Sequence, residues 1–227
     1  MSSLKKEKYL TQENKKKKVE NWIAILNRYH SNKKEIPLQL HKTALLVIDM
    51  QKYFLDSSSH AYLPSGEVII NSINRIVNYF KKNNRPVIFI RYGISDEKVR
   101  KISKMKEWWG REELTFSDPL SEIHPLLKVD DSIVIEKSTY DCFIETNLQN
   151  VLEELNIEQL VITGVITQLC CETTARSAFC RGFSVWMVID CLASQNEELH
   201  LSSLKAASHG FATPITSDNI LKKFNHE

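Results

Sequence analysis

The sequence has no apolar run of about 18 residues, no Cys-x-x-Cys pair and no excess of either charge. The first absence leaves no stretch that could cross a bilayer as a helix. The second, with an odd total of five cysteines (Cys142, Cys170, Cys171, Cys180, Cys191), argues against a disulfide framework and against a zinc site. The third, 30 Lys+Arg against 28 Asp+Glu, is too near balance to point to nucleic acid. There is no signal-peptide pattern at Met1, no internal repeat, and no low-complexity tract beyond the run Lys15 to Lys18. The expectation is a soluble, cytoplasmic protein with neither nucleic acid nor membrane as partner. At 227 residues, 42% of them hydrophobic, the chain suits one α/β domain with a core large enough to need no staples.

Residues 1–40 read as an N-terminal basic and helical extension, and residues 41–227 as the main domain. In the extension, Val19, Trp22, Ile23, Leu26 and Tyr29 fall at helical spacing from about Gln12 onward, a stripe that packs on the main domain or on a second subunit. The lysine run is a solvated helix face or a site for an anionic partner. Ala44 to Ile48 is a wholly apolar strand, the pattern of a strand covered on both faces. An amphipathic helix over 66–83 follows, then strands at 86–90, 132–135, 159–163, 183–189 and 212–215. Helices are expected at 147–156, 172–181, 197–209 and 217–224. Strands alternating with helices imply right-handed crossovers and a doubly wound, mainly parallel six-stranded sheet of Rossmann-like type. Residues 94–130 are irregular; a loop this long is a lid or specificity loop, or a surface excursion with Trp108 and Trp109 tucked into the core.

The densest chemistry lies at residues 161–176, VITGVITQLCCETTAR. A β-branched strand turns at Gly164 and runs into two adjacent cysteines ahead of a helix. A helix N-terminus favours a thiolate there; alternatively, both cysteines fill the core. Two further residues share the position of Cys170 beyond a strand end: Asp49 after the first strand and Lys137 after the third. Ligands of open α/β sheets bind outside those ends, where the strand order reverses. With the common order 3-2-1-4-5-6, Asp49 faces Cys170, and Lys137 reaches in from the loop after the outer strand. A thiolate attacks carbonyl carbon, a carboxylate moves the proton, and an ammonium favours both charged forms. Backbone N–H groups before Cys170 are placed to hold an oxyanion. The other reading of Asp49 and Lys137 is a structural ion pair.

Three stretches carry a resemblance: 45–51 (LLVIDMQ), 137–143 (KSTYDCF) and 164–170 (GVITQLC). From about Thr43 to Leu221 the chain resembles the isochorismatase-like cysteine hydrolases, a family of nicotinamidases, N-carbamoylsarcosine amidase, ureide hydrolases and isochorismatase itself. The resemblance implies an Asp49–Lys137–Cys170 triad and a cis Val165–Ile166 bond. It also implies an oxyanion hole from the Ile166 and Cys170 N–H groups, and makes Cys171 core rather than nucleophile. Trp109-Gly110 with Leu114-Thr115, and the run Asp190 to Ser194, look most like the isochorismatase branch. The site departs from that branch: true isochorismatases carry glycine where Cys170 stands, tyrosine at Ile166 and glutamine at Tyr92. Nicotinamidases of the family bind a metal through Asp-x-His after the second strand. Here that region, Arg91 to Asp96, has no histidine, and His60 and His124 are isolated. No metal and no cofactor are therefore expected, and nicotinamide is disfavoured.

The resulting expectation is a cysteine hydrolase cleaving a C–N bond of a small amide, carbamoyl or ureide-like substrate through an acyl-enzyme. Gln51, Arg91, Tyr92, Trp108, Trp109 and Tyr140 are candidate substrate-binding residues; Arg91 is equally readable as structural. The alternatives are a vinyl-ether hydrolase of isochorismatase type with Asp49 as general acid, and a non-catalytic binding protein on the same fold. Family members are usually oligomers, which implies a homo-oligomer, a dimer or tetramer.

Overall fold

A computed structural model describes residues 5–34, 36–95, 97 and 103–224. Met1, and the part of the 94–130 loop at 96 and 98–102, lie outside the described residues. The order of elements follows from the alternating pattern. Six strands, β1 (Thr43–Ile48), β2 (Val87–Tyr92), β3 (Ile133–Lys137), β4 (Gln159–Val165), β5 (Ser184–Ala193) and β6 (Thr213–Ile215), form one sheet in the order 3-2-1-4-5-6. All the pairings are parallel. Helix α1 (Lys15–His30) precedes β1, and the short α2 (Lys52–Leu55) follows it. Then come α3 (Ile70–Lys82), α4 (Lys104–Trp109), α5 (Leu148–Glu154), α6 (Glu172–Cys180), α7 (Glu197–Gly210) and α8 (Ser217–Phe224). Helices α3 and α8 pack together over the sheet, and α1, α6 and α7 form a second packed group. No described helix is long and apolar enough to cross a membrane.

β1 and β4 are buried at every residue, which matches their unbroken apolar sequences in the middle of a covered sheet. β3, at the edge, alternates between exposed and buried instead. β5 continues four residues past its expected end, through a register shift against β4 between Ile162 and Gly164.

Of the two placements open for the α1 stripe, the structure shows the first. Trp22 and Leu26 are buried in the same core as the sheet, with Val19 and Ile23 against it, while Tyr29 stays exposed. Tyr9 and Leu10, ahead of the helix, are buried too; Leu10 N–H donates to Ser65 Oγ at 3.0 Å. Of the lysine run, Lys15 donates to Ser72 Oγ and Lys18 pairs with Glu197, so part of it is spent on the domain's own surface.

The 94–130 loop is pinned rather than free over its described parts. Ile94 bridges to Thr115 and Gln51 to Ile123, and a short turn at Pro119–Ser121 closes its far end. Neither tryptophan enters the core: Trp108 is 81% exposed and Trp109 49%.

Gly164 has φ +114°, and a Cβ there would lie 2.0 Å from the carbonyl oxygen of Ile48. Only glycine lets β4 pass β1 this closely. Gly164→Ala is expected to cost about 3 kcal/mol or more, from backbone strain plus overpacking. Urea unfolding reads this directly; a loss below about 1 kcal/mol contradicts the close-approach argument.

Candidate active site

The strand order brings the carboxyl ends of β1 and β4 side by side, with Ile48 opposite Gly164. Asp49 is the first residue beyond β1 and sits at φ +52°, a left-handed conformation that lifts its carboxyl off the strand line. The Val165–Ile166 bond beyond β4 is cis. Residues Thr167–Cys171 then form one π-helical turn that runs into α6. Wide turns of this kind recur at functional sites. Lys137 is the last residue of β3 itself, in register with Tyr92 on β2, so it reaches over β2 from the strand and not from the loop after it.

The three side chains meet. Lys137 Nζ donates to Asp49 Oδ2 at 2.8 Å, to the Thr139 carbonyl at 2.9 Å and to Cys170 Sγ at 3.3 Å. All three ammonium protons are thereby used. Both members of the ion pair are fully buried. Nζ also lies 5.1 Å over the centre of the Tyr92 ring, where the ring's negative face favours a cation. Asp49 Oδ1 is buried with no hydrogen-bond partner among the described residues.

Burial disfavours the Lys137 ammonium, but the Asp49 carboxylate and the Cys170 sulfur outweigh it and hold the lysine above its ordinary range. Burial pushes the Asp49 carboxyl up, with Lys137 opposing. The Cys170 thiol is pushed well above its ordinary value by burial and then by the Asp49 charge; Lys137 offsets only part of this. This departs from the expectation of a helix-stabilised thiolate. Cys170 lies in the turn before α6, where desolvation outweighs the helix end. Burial and the Asp49 charge both favour the protonated thiol.

The remaining candidates divide. Tyr92 is buried beside Lys137 and Cys170. Tyr140 interacts with Cys170 electrostatically, and its hydroxyl accepts from Trp109 Nε1 at 2.7 Å, which places both at the rim. Gln51 is instead buried with its polar atoms committed. Nε2 donates to the carbonyls of Tyr92 and Ser121, both at 2.8 Å, and Oε1 accepts from Tyr92 N–H. It staples β1 to the end of β2 and has no donor left for a ligand.

Arg91 is likewise structural. It donates to the carbonyls of Ser121 and Phe116 and to Glu136, and lies 5.1 Å over the Phe116 ring. Strand alternation explains the split: adjacent residues of β2 face opposite ways, so Tyr92 points to the site and Arg91 cannot. Trp108 is too exposed to wall a pocket. Cys171 is fully buried in the core.

Two contributors carried no readable signal. The Thr139 carbonyl acts through backbone, which any residue supplies. Tyr53, on α2, packs its ring 6.5 Å from Tyr92, and only its place four residues after Asp49 hinted at this. Among the described residues no group of three or more His, Cys, Asp and Glu is arranged to hold a metal ion.

Comparison with known proteins gives the arrangement its lineage. Residues 43–219 match the isochorismatase domain family. The chain is 35% identical to Nicotinamidase 3 of Arabidopsis thaliana over 78% of its own length and 86% of that protein's. It is 31% identical to enterobactin synthase component B of Escherichia coli strain K12, over 84% of its own length and 66% of the relative's. Among solved structures, a cysteine hydrolase from Pseudomonas syringae pv. phaseolicola superposes with a TM-score of 0.81 at 22% identity, covering 86% of this chain and 99% of that one. The chain belongs to the isochorismatase family of hydrolases and has its α/β fold.

The buried pair generates a stability test. Lys137→Met leaves Asp49 buried without its cation and is expected to cost about 3–5 kcal/mol. Asp49→Asn added to Lys137→Met should recover a large part of that loss, because the stranded charge is gone. Denaturant titration of both variants decides it; equal stability of the single and double variants contradicts the argument.

Proposed function

We propose that this isochorismatase-family chain is a cysteine amidohydrolase, cleaving the C–N bond of a small amide, carbamoyl or ureide-like substrate. The observation that carries the reading is the three-way contact of Lys137 with Asp49 and Cys170, with the Cys170 thiol also coupled to the Asp49 carboxylate. A structural ion pair alone does not call for a thiol that touches its cation and couples to its anion.

In this reading the Asp49 carboxylate takes the Cys170 proton as sulfur attacks the carbonyl carbon. The carbonyl π electrons move to oxygen, which the N–H groups of Ile166 and Cys170 hold. The intermediate collapses, the C–N bond breaks, and Asp49 returns the proton to the departing nitrogen. Ammonia or an amine leaves, and a thioester remains on Cys170. Asp49 then takes a proton from water, hydroxide attacks the thioester, and the thiol is reprotonated as the acid departs. Lys137 keeps its charge throughout and steadies each anion in turn. Tyr92 and Tyr140, coupled electrostatically to Cys170, and Trp109 on the Tyr140 hydroxyl are the groups proposed to meet the substrate. Small substrates suit so enclosed a residue, since Cys170 as a whole is 5% exposed.

A raised Asp49 carboxyl suits this role, since a general base works best with a pKa near the operating pH. Nicotinamide belongs in the substrate panel because a 35% identical relative is named for it, even though this chain lacks the Asp-x-His motif. The match of residues 43–219 to the isochorismatase domain keeps a second reading, an ether hydrolase with Asp49 as acid. The two separate at Cys170.

Ammonia release from an amide and ureide panel should fall by at least about a thousandfold in Cys170→Ala. Activity on isochorismate that survives the same change would support the ether hydrolase instead. For the wild type, kcat/KM should fall as pH drops through the Asp49 pKa. Because burial raises that value, the acid limb should lie above the ordinary carboxylate pKa of about 3.9. A limb at or below that value contradicts the assignment of the base.

A further inference from the structure

Behind the turn that carries Cys170, three parts of the chain converge on Thr167 and Gln168. His200, on α7, is completely buried, and its Nδ1 lies 2.9 Å from Thr167 Oγ1. Ser203, three residues on, donates to the Thr167 carbonyl at 3.3 Å. Ser194, just past β5, donates through Oγ to Gln168 Oε1 at 2.7 Å. Its own N–H donates to the Tyr9 hydroxyl at 2.9 Å. The rings of Tyr9 and Trp22 pack against the His200 imidazole with centroids 5.7 Å and 4.7 Å away. Trp22 is itself fixed by donating to Glu197 at 2.8 Å, which also pairs with Lys18.

A histidine is a costly filler for such a box. Its Nε2 is buried with no hydrogen-bond partner among the described residues, and an apolar ring would avoid that penalty. What the imidazole supplies that a phenyl ring cannot is the bond to Thr167. Burial first, and Lys18 second, keep it neutral down to about 3, so the bond is present across the working pH range. The two aromatic walls that enforce the burial, Tyr9 and Trp22, both come from the N-terminal extension.

We propose that His200 is a positioning residue for the nucleophile. With the Tyr9–Ser194–Gln168 chain, it fixes the Thr167–Cys171 turn from behind, so that Cys170 Sγ stays against Asp49 and Lys137. The N-terminal extension is then part of the active-site scaffold rather than a docking tag. This rests on the reading of Cys170 as the nucleophile.

The test is the rate at which iodoacetamide alkylates Cys170 in the full chain, read by peptide mass spectrometry. In that reaction sulfur displaces iodide while its proton leaves to Asp49, so the rate reports the placement of the sulfur against its base. Thr167→Val removes the bond with almost no change of shape, and His200→Phe removes it from the other side. Each should slow alkylation at Cys170 about tenfold, and His200→Gln, whose amide can reach Thr167, should restore most of the rate. The double variant Thr167→Val/His200→Phe should be no slower than the slower single one, because both lose the same bond. Unchanged rates in the folded single variants, additive losses, or no rescue by glutamine would overturn the inference. Labelling of wild-type chain at exposed Cys180 but never at Cys170 would overturn the nucleophile reading, and this inference with it.

Discussion

A single buried ammonium organises this protein's candidate site. Lys137 gives one proton each to a carboxylate, a backbone carbonyl and a cysteine sulfur, from three different strand ends. An ion pair removed from water repays its desolvation only when its geometry and remaining hydrogen bonds are good. That requirement propagates outward. The ammonium must cross β2, so Tyr92 must offer it a ring face; Gln51 clamps Tyr92 through both backbone groups. β4 must pass β1 closely enough to bring Cys170 to Asp49, which calls for glycine at 164. The turn with Cys170 must hold its place, and side chains from α7, from β5 and from the N-terminal segment fasten it.

The same burial sets the direction of the chemistry. A thiol kept neutral by desolvation is stable and unreactive until a carbonyl arrives. In the proposed mechanism deprotonation and attack are one event, and the raised proton affinity of the adjacent carboxylate suits it. A helix end could have produced a standing thiolate, open to oxidation. The proposed mechanism uses a base instead, Asp49, one residue past β1 and on the strand next to the one that leads to Cys170.

Much of the fold was legible because buried parallel strands advertise themselves. Ala44 to Ile48 and the run before Gly164 are unbroken apolar stretches, and the observed strand order matches the common doubly wound one. Asp49, Lys137 and Cys170 stood out because each lies at or just beyond a strand's carboxyl end and carries a group that apolar surroundings do not tolerate alone. Arg91 and Tyr92 did not separate, since adjacent polar residues at a strand end look alike until the pleat is known. Gln51 was misread for a similar reason: a buried amide that staples two strands has the same sequence signature as one that binds a ligand. His200 was readable only as a residue of the helix expected at 197–209, with no role attached. Its environment comes from Tyr9 and Trp22, nearly two hundred residues away in the chain, and no local pattern encodes that.

The central claim is that Cys170 forms a covalent acyl intermediate assisted by Asp49. The most direct measurement mixes the intact protein with each member of an amide and ureide panel, quenches in acid within milliseconds, and weighs the protein and its Cys170 peptide. For a substrate that is turned over, an added mass equal to the acyl portion of the substrate is expected on Cys170. Turnover with no such adduct, together with hydrolysis that persists in Cys170→Ala, would contradict it.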